Sequence, residues 1–314
     1  MRISPAQLLA SALWRTGAIL QGGAARLRPV ALRADAGIRL ENQVHPVEIL
    51  ERNGDWIVCR IEDLIWRLDP SQCVDQDLID DGKFEPESTK WLPQIVRPGM
   101  VAIDVGANFG YYTVQLSKLV GSQGQVYAFE PSPRYRGRLL DHLERNGCAN
   151  VIVSECGLSD RDEDGQLYGD NVSASMHWHD DGHEPIFEER IRLTTLDAYV
   201  REVGISRVDF IKVDIDGHEP RFITGATQTL VRFQPVILIE FANLSLWAAG
   251  SNAESLGRQL EELGYSLRNE KTGLPYPNHA DFLRDAMNCS HSVNVLCFPE
   301  ESKKISSSIL TGSS

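Results

Sequence analysis

Basic residues are scarce relative to acids in this chain: 31 Lys and Arg against 44 Asp and Glu in 314 residues, a formal net charge of −13. That balance argues against a nucleic-acid partner, because phosphate binding draws on a basic face, and favours small or neutral ligands. Cysteine is sparse and unpatterned. Positions 59, 73, 148, 156, 289 and 297 contain no Cys-x-x-Cys pair and no regular framework, so they read as reduced, buried thiols of a cytoplasmic protein. No apolar run reaches the roughly 18 to 20 residues of a membrane span, and no internal repeat is visible. What remains is an ordinary globular composition, 42% hydrophobic, enough for one sizeable α/β core with a smaller appendage.

The first 35 residues hold five arginines and no acid before Asp35, with Leu8, Leu9, Ala12, Leu13, Ala18 and Ile19 on apolar positions. The pattern predicts an amphipathic helix. Arg15 splits its apolar run, which disfavours a signal peptide. Peripheral contact with an anionic membrane through residues 1–35, an organelle transit peptide and a plain N-terminal extension all suit this composition. Residues 41–85 alternate like a small β-meander, with turns at Asn53-Gly54 and Glu62-Asp63. From about Pro86 strands alternate with helices: strands near 101–105, 125–129, 151–155, 208–214 and 236–240, and two late strands near 264–268 and 292–298. The division expected is therefore 1–85 as extension plus meander, 86–300 as the main domain, and 301–314 as a disordered Ser-rich tail.

The stretch Val101-Ala102-Ile103-Asp104-Val105-Gly106-Ala107-Asn108-Phe109-Gly110 carries the most information. A buried strand ends in a carboxylate, and Gly106 and Gly110 then allow a tight turn into a helix whose amides face a ligand. A dinucleotide fingerprint wants glycine where Asn108 stands, so an NAD-dependent oxidoreductase is the weaker enzyme reading. A second strand, Gln125-Val126-Tyr127-Ala128-Phe129, ends in Glu130, 20 residues beyond Gly110, which suits a carboxylate accepting ribose hydroxyls. In Phe210-Ile211-Lys212-Val213-Asp214 two charges interrupt a buried strand on one side, a cost that implies pairing or function.

With Gly82-Lys83-Phe84-Glu85-Pro86, Thr195-Leu196-Asp197, Asp214-Ile215-Asp216-Gly217-His218-Glu219 and Gly225-Ala226, this set resembles the FkbM-type family of S-adenosylmethionine (SAM)-dependent methyltransferases. Asp216 stands where that family usually has glutamate. The resemblance implies a Rossmann-like class I methyltransferase fold, α/β with a seven-stranded, mostly parallel sheet. It further implies SAM as cofactor and O-methylation of a hydroxyl on a sugar or polyketide-type small molecule or glycan. A non-catalytic SAM-binding scaffold is the rival from another class. The expected cofactor contacts are Asp104, Gly106, Asn108, Gly110, Glu130 and Asp160.

Candidates for removing or polarising the acceptor proton cluster after the fourth strand: Asp214, His218, Asp216 and Glu219, with Lys212 expected to pair with Asp214. Asp216 also suits a cap for the helix near Pro220, and Glu219 its positive end. Glu240 and Asn243 stand where they would join Asp214 as oxygen ligands of a divalent metal, or serve as ordinary substrate contacts. His177-Trp178-His179-Asp180-Asp181-Gly182-His183 offers three histidines in seven residues, which suit either a metal or a solvated loop. The segment 164–189 around it has the length of a lid.

Overall fold

The computed structural model describes residues 47–169, 174–177, 185–287 and 292–300. The expected N-terminal helix, the Ser-rich tail and residues 178–183 of the histidine-rich stretch lie outside the described residues.

Strands β1 (Val47–Asn53), β2 (Trp56–Ile61) and β3 (Leu64–Leu68) form an antiparallel meander. Its turns fall at Gly54 (φ 59°) and Glu62 (φ 53°), where the sequence places them. Alternation puts Ile57, Cys59, Ile61, Trp66 and Leu68 on one buried face. Helix α1 (Cys73–Asp81) follows, ending at Gly82 in the left-handed region, and the short helices α2 (Pro86–Thr89) and α3 (Leu92–Ile95) lead into the main sheet. The alternating pattern does not announce these helices.

The main sheet contains β4 (Val101–Val105), β5 (Gln125–Phe129), β6 (Val151–Ser154), β11 (Phe210–Val213), β12 (Val236–Phe241), β13 (Tyr265–Asn269) and β14 (Val293–Pro299), in the order β13-β14-β12-β11-β4-β5-β6. All pairs are parallel except those made by β14, which runs antiparallel to β12 and β13. Helices α4 (Tyr111–Val120) and α5 (Pro133–Arg145) connect the first three strands. The chain then crosses to β11 on the other side of β4. Between β4 and β11 the strand order reverses, and a crevice opens outside their C-terminal ends.

β7 (Gly157–Leu158), β8 (Glu163–Gly169), β9 (Ala174–Ser175) and β10 (Phe187–Thr194) form a second, four-stranded sheet, to which the described residues of the segment expected as a lid contribute 164–169, 174–175 and 187–189. It leads into α6 (Leu196–Val203). After β11 come α7 (Glu219–Gly225) and α8 (Thr227–Phe233), and after β12 come α9 (Asn243–Ala248), α10 (Ala253–Glu262) and α11 (His279–Ala286). The Thr-Leu-Asp motif is a double cap. Thr195 Oγ1 accepts from Ala198 N at 3.0 Å to start α6, and Asp197 accepts from Gln228 N and Thr229 N at 2.9 and 2.7 Å at the start of α8.

The meander shares its core with the glycine loop. Trp66, 1% exposed, meets Phe109, Tyr111 and His142 at ring-centroid distances of 6.2, 5.5 and 5.2 Å. His142 is pinned by the Phe109 carbonyl at 2.7 Å and receives the Arg67 amide at 3.0 Å. Burial lowers its pKa to about 4, so it serves as a neutral strut. Trp66→Ala is expected to cost about 3–5 kcal/mol of stability by urea denaturation, the range for emptying a large aromatic site. A loss under about 1 kcal/mol would show that the meander contributes little to the fold.

Candidate active site

Strand register explains the charge cluster. Lys212 lies opposite Asp104 on one side and Leu238 on the other, and Leu238 lies opposite Leu296. One row further along the same face come Asp214, just past the end of β11, and then Glu240 opposite Asn294. Side chains two apart share a face, so five polar residues from four strands meet at one end of the sheet.

Lys212 is 1% exposed and donates to Asp214 Oδ2 at 2.9 Å, with its ammonium 4.8 Å from the centroid of the Tyr112 ring. Burial alone would lower its pKa; the carboxylates of Asp214, Glu85 and Glu240 hold it above the ordinary lysine value instead. For Asp214, burial pushes upward and the Lys212 ammonium overrides it, so the carboxyl stays ionised. Glu240 is driven well upward by burial and by Asp214, with which it shares a hydrogen bond. Asp104 is raised to about 6 by burial, offset by the Thr113 hydroxyl, which donates at 2.5 Å.

Glu85 joins this cluster from the segment before α2 and was not among the candidates drawn from sequence. It adopts φ 47°, accepts from the Tyr112 hydroxyl, and accepts from Asn294 Nδ2 at 3.2 Å. Its presence in the Gly-x-aromatic-Glu motif was the available signal. Its partners lie 27 and 209 positions away, so spacing alone does not reveal them.

The crevice at the strand-order reversal is walled by Asp104, Gly106, Asn108, Glu130, Tyr112 and Phe129 on the β4 and β5 side. Lys212, Asp214, Asp216 and His218 line it after β11. Opposite stand Leu167, Met176, Ile191 and Leu193 from the second sheet, an apolar wall that the sequence reading missed. The alternation in Glu189-Arg190-Ile191-Arg192-Leu193 was the available signal.

Glu130 is 5% exposed and accepts from Asn108 N at 2.7 Å through one oxygen and from Ser132 N at 2.9 Å through the other. Burial raises it to about 7, with those two amides pulling the other way. Each oxygen keeps a lone pair for a ligand hydroxyl. Gly106 lines the crevice and also has no room for a side chain: at φ 80° a Cβ would lie 1.9 Å from the Asp214 carbonyl oxygen. Gly110, the N-cap of α4 at φ 96°, is backed by Leu139 and is not part of the wall.

The N-cap position of α7 does not fall on Asp216. That residue sits in the left-handed region (φ 48°), its carbonyl accepts from Ser175 Oγ at 3.0 Å, and His218 occupies the N-cap position. Glu219 is fully buried behind the wall and curls back to accept from Ile215 N at 3.0 Å, holding the turn after β11. Burial raises it to about 7 against the pull of its own and neighbouring amides. Asp160 also lies off the wall, beside Ser159 and Arg221. Among the described residues no group of three or more His, Cys, Asp or Glu is arranged to hold a metal ion. Asp214, the centre of the expected oxygen set, is engaged by Lys212 and Glu240.

Numbered within the sheet, the strand order is 6-7-5-4-1-2-3 with strand 7 antiparallel, the arrangement of a Rossmann-like class I SAM methyltransferase fold. The family model described as "Methyltransferase FkbM domain" matches residues 104–267, and the chain belongs to that family. A model of protein-L-isoaspartate(D-aspartate) O-methyltransferase matches residues 35–160. The chain is 26% identical over 162 residues to the hexuronic acid methyltransferase AglP of Haloferax volcanii, covering 51% of this chain and 64% of that protein. It is 25% identical over 166 residues to the 2-O-methyltransferase NoeI of Sinorhizobium fredii, covering 48% and 67%. It also matches the AMB antimetabolite synthetase AmbE of Pseudomonas aeruginosa at 24% identity, across 55% of this chain and 10% of that much longer protein. A solved FkbM methyltransferase from Methylobacillus flagellatus superposes with a TM-score of 0.38 at 16% identity, over 67% of this chain and 50% of that one.

Lys212→Met leaves Asp214, Glu240 and Glu85 without their cation. We expect a loss of about 3–5 kcal/mol in urea denaturation, the range for stranding one side of a buried ion pair. The double variant with Asp214→Asn should recover part of that loss. Full stability in the single variant would show that the cluster tolerates the missing charge.

Proposed function

We propose that this protein transfers a methyl group from SAM to a hydroxyl of a sugar or sugar-like acceptor. The observation that carries the reading is Glu130: a buried carboxylate at the end of β5, on the crevice wall, 2.7 Å from the backbone of the glycine loop. With Asp104 and Asp214 it offers acceptor oxygens and negative charge to a ligand bearing two ribose hydroxyls and two cationic groups. The residues present therefore suit SAM. When bound, SAM supplies a methyl carbon open to in-line displacement from a sulfonium leaving group.

The chain's own contribution follows from its geometry. Glu130 holds hydroxyls, the acids around Lys212 attract cationic groups, and Leu167, Met176, Ile191 and Leu193 exclude water from the reacting centre. Asp214 and His218 flank the crevice as groups able to accept or polarise the acceptor's proton. The name of AglP, a hexuronic acid methyltransferase, supports a sugar acceptor, the name of NoeI supports transfer to oxygen, and the family membership supports the reaction. Among the described residues no helix is long and apolar enough to cross a membrane. The free thiols of Cys59, Cys148 and Cys297 support a reducing, cytoplasmic setting.

Titration calorimetry with SAM, S-adenosylhomocysteine and NAD tests the cofactor; binding of NAD alone would overturn the proposal. Glu130→Gln is expected to weaken SAM by about 1.5–3 kcal/mol, the worth of hydrogen bonds to a charged group, with an unchanged circular dichroism spectrum. An unchanged dissociation constant would remove Glu130 from the site.

The pH dependence has a definite sign. Burial raises the Glu130 pKa to about 7 in the free protein. Hydroxyl donors and nearby cations stabilise the ionised form, so the bound state has the lower pKa. Affinity is then fully present above about pH 7 and declines as pH falls through that value. Calorimetry between pH 5 and 8 should show this trend with net proton release near neutrality, and a flat profile would contradict it.

A further inference from the structure

A second hydrogen-bonded chain runs from behind the wall to His218. Asp160 Oδ1 accepts from Ser159 Oγ at 3.1 Å, and Ser159 Oγ lies 2.9 Å from His218 Nε2. A serine hydroxyl carries one hydrogen. With that hydrogen on Asp160, the oxygen facing His218 can only accept, so His218 Nε2 must be the protonated nitrogen. Nδ1 then carries the lone pair. It meets His177 Nε2 at 3.4 Å, well beyond the usual 2.9 to 3.0 Å, in a near-parallel ring stack.

The chain is rigidly mounted. Ser159 is fully buried, and its amide donates to the Thr194 carbonyl at 2.8 Å where β7 meets β10. His218 opens α7 and Gly225 closes it. A Cβ at Gly225 would lie 1.9 Å from the Ser159 carbonyl oxygen, so the glycine allows the far end of the helix to rest on the residue that its first turn addresses. The Gly225-Ala226 motif thus has a local purpose that methyl transfer alone does not supply. Asp160 is in turn flanked by the Arg221 guanidinium at 3.7 Å, from the same helix.

Resting on the function proposed above, we propose that Asp160 and Ser159 are positioning residues that fix His218 in its Nε2–H tautomer, leaving Nδ1 to take the acceptor's proton. The acceptor oxygen bonds to the methyl carbon as the carbon–sulfur bond breaks with its electron pair left on sulfur, and the hydroxyl proton passes to Nδ1. One positive charge leaves sulfur as one appears on the imidazole, so the total charge of the crevice is unchanged. Burial and the His177 ring lower the His218 pKa to about 4, which keeps it neutral and ready at physiological pH. A weak base suffices here, because the hydroxyl becomes strongly acidic once its oxygen starts to bond the methyl carbon. Asp214 is less available, being engaged by Lys212.

The tautomer can be read without any acceptor. Long-range ¹H–¹⁵N spectra of ¹⁵N-histidine-labelled protein at neutral pH should show His218 protonated at Nε2 and unprotonated at Nδ1, with Ser159→Ala and Asp160→Asn giving a mixture. Turnover is read with methyl-labelled SAM and p-nitrophenyl hexosides and hexuronides. His218→Gln keeps an amide donor for Ser159 but removes the base. It should lower kcat about 100-fold or more, leaving the calorimetric Kd for SAM within about twofold. Ser159→Ala should lower kcat by a smaller factor at unchanged KM. A predominant Nδ1–H tautomer, or full turnover in His218→Gln, overturns the relay. A wild-type protein that binds SAM yet methylates none of these glycosides overturns the proposed acceptor class, and the tautomer spectrum then still decides the relay.

Discussion

The buried Lys212 ammonium is the constraint around which the sheet's working end is built. Removing an ammonium from water costs several kcal/mol unless carboxylates and hydrogen-bond acceptors surround it. No single strand can supply them. Asp214 comes from the same strand two residues on, Asp104 from the neighbouring β4 and Glu240 from β12. Glu85 comes from the segment that bridges meander and sheet. Glu85, on a left-handed backbone (φ 47°), also bonds Tyr112 and Asn294, which ties the segment after the meander to the main sheet. Acids alone at these positions would repel one another, and the lysine alone would be forced to lose its proton. Each is tolerable only because the others are present.

A second constraint is steric. The loop after β4 and the turn after β11 pass so closely that Gly106 has no room for a side chain beside the Asp214 carbonyl. Gly217 is similarly closed off by the Ser245 carbonyl, 2.3 Å from where its Cβ would sit. Glu219 folds back over the same turn and holds Ile215 N. Several motif residues that invite a chemical reading also hold the framework: Gly106 and Gly217 have no room for a side chain, Glu219 holds the turn after β11, and Asp197 caps α8. Asp104, Glu130, Lys212, Asp214 and His218 line the crevice.

The parts of the fold legible in the sequence were those set by local pattern. The central strands β4 and β12 are nearly continuous apolar runs because both faces are covered, and each strand of the main sheet was found within a few residues of its observed position. The Lys212 and Asp214 pair was legible because two charges at spacing 2 in a buried strand have few other ways to be satisfied. The second sheet was not. Its strands are half-exposed, alternate charge with apolar residues as in Glu188 to Leu193, and contain Gly165 and Gly169, which read as loop. In the structure those glycines make room for neighbours: Cβ atoms there would meet Met176 and Phe187. Asp216 was misread for a similar reason, since a cap and a left-handed turn residue look alike in sequence. Glu85 and Ser159 depend on partners far along the chain, and only the fold brings those together.

The crevice has a charge imbalance that gives it direction. Around it Asp104, Glu130 and Glu240 are all raised by burial, and Lys212 is the one buried ammonium among them. Full ionisation of these acids needs more positive charge than the chain provides there. Burial raises Asp104 to about 6 and Glu130 to about 7, and their acidic neighbours Asp214 and Asp104 add to the rise, so protons supply part of that charge in the free protein. A cationic ligand entering the crevice replaces those protons, and its binding energy includes the relief of carboxylates that the fold holds close together. Conversely, a neutral or anionic ligand of the same shape gains none of that relief.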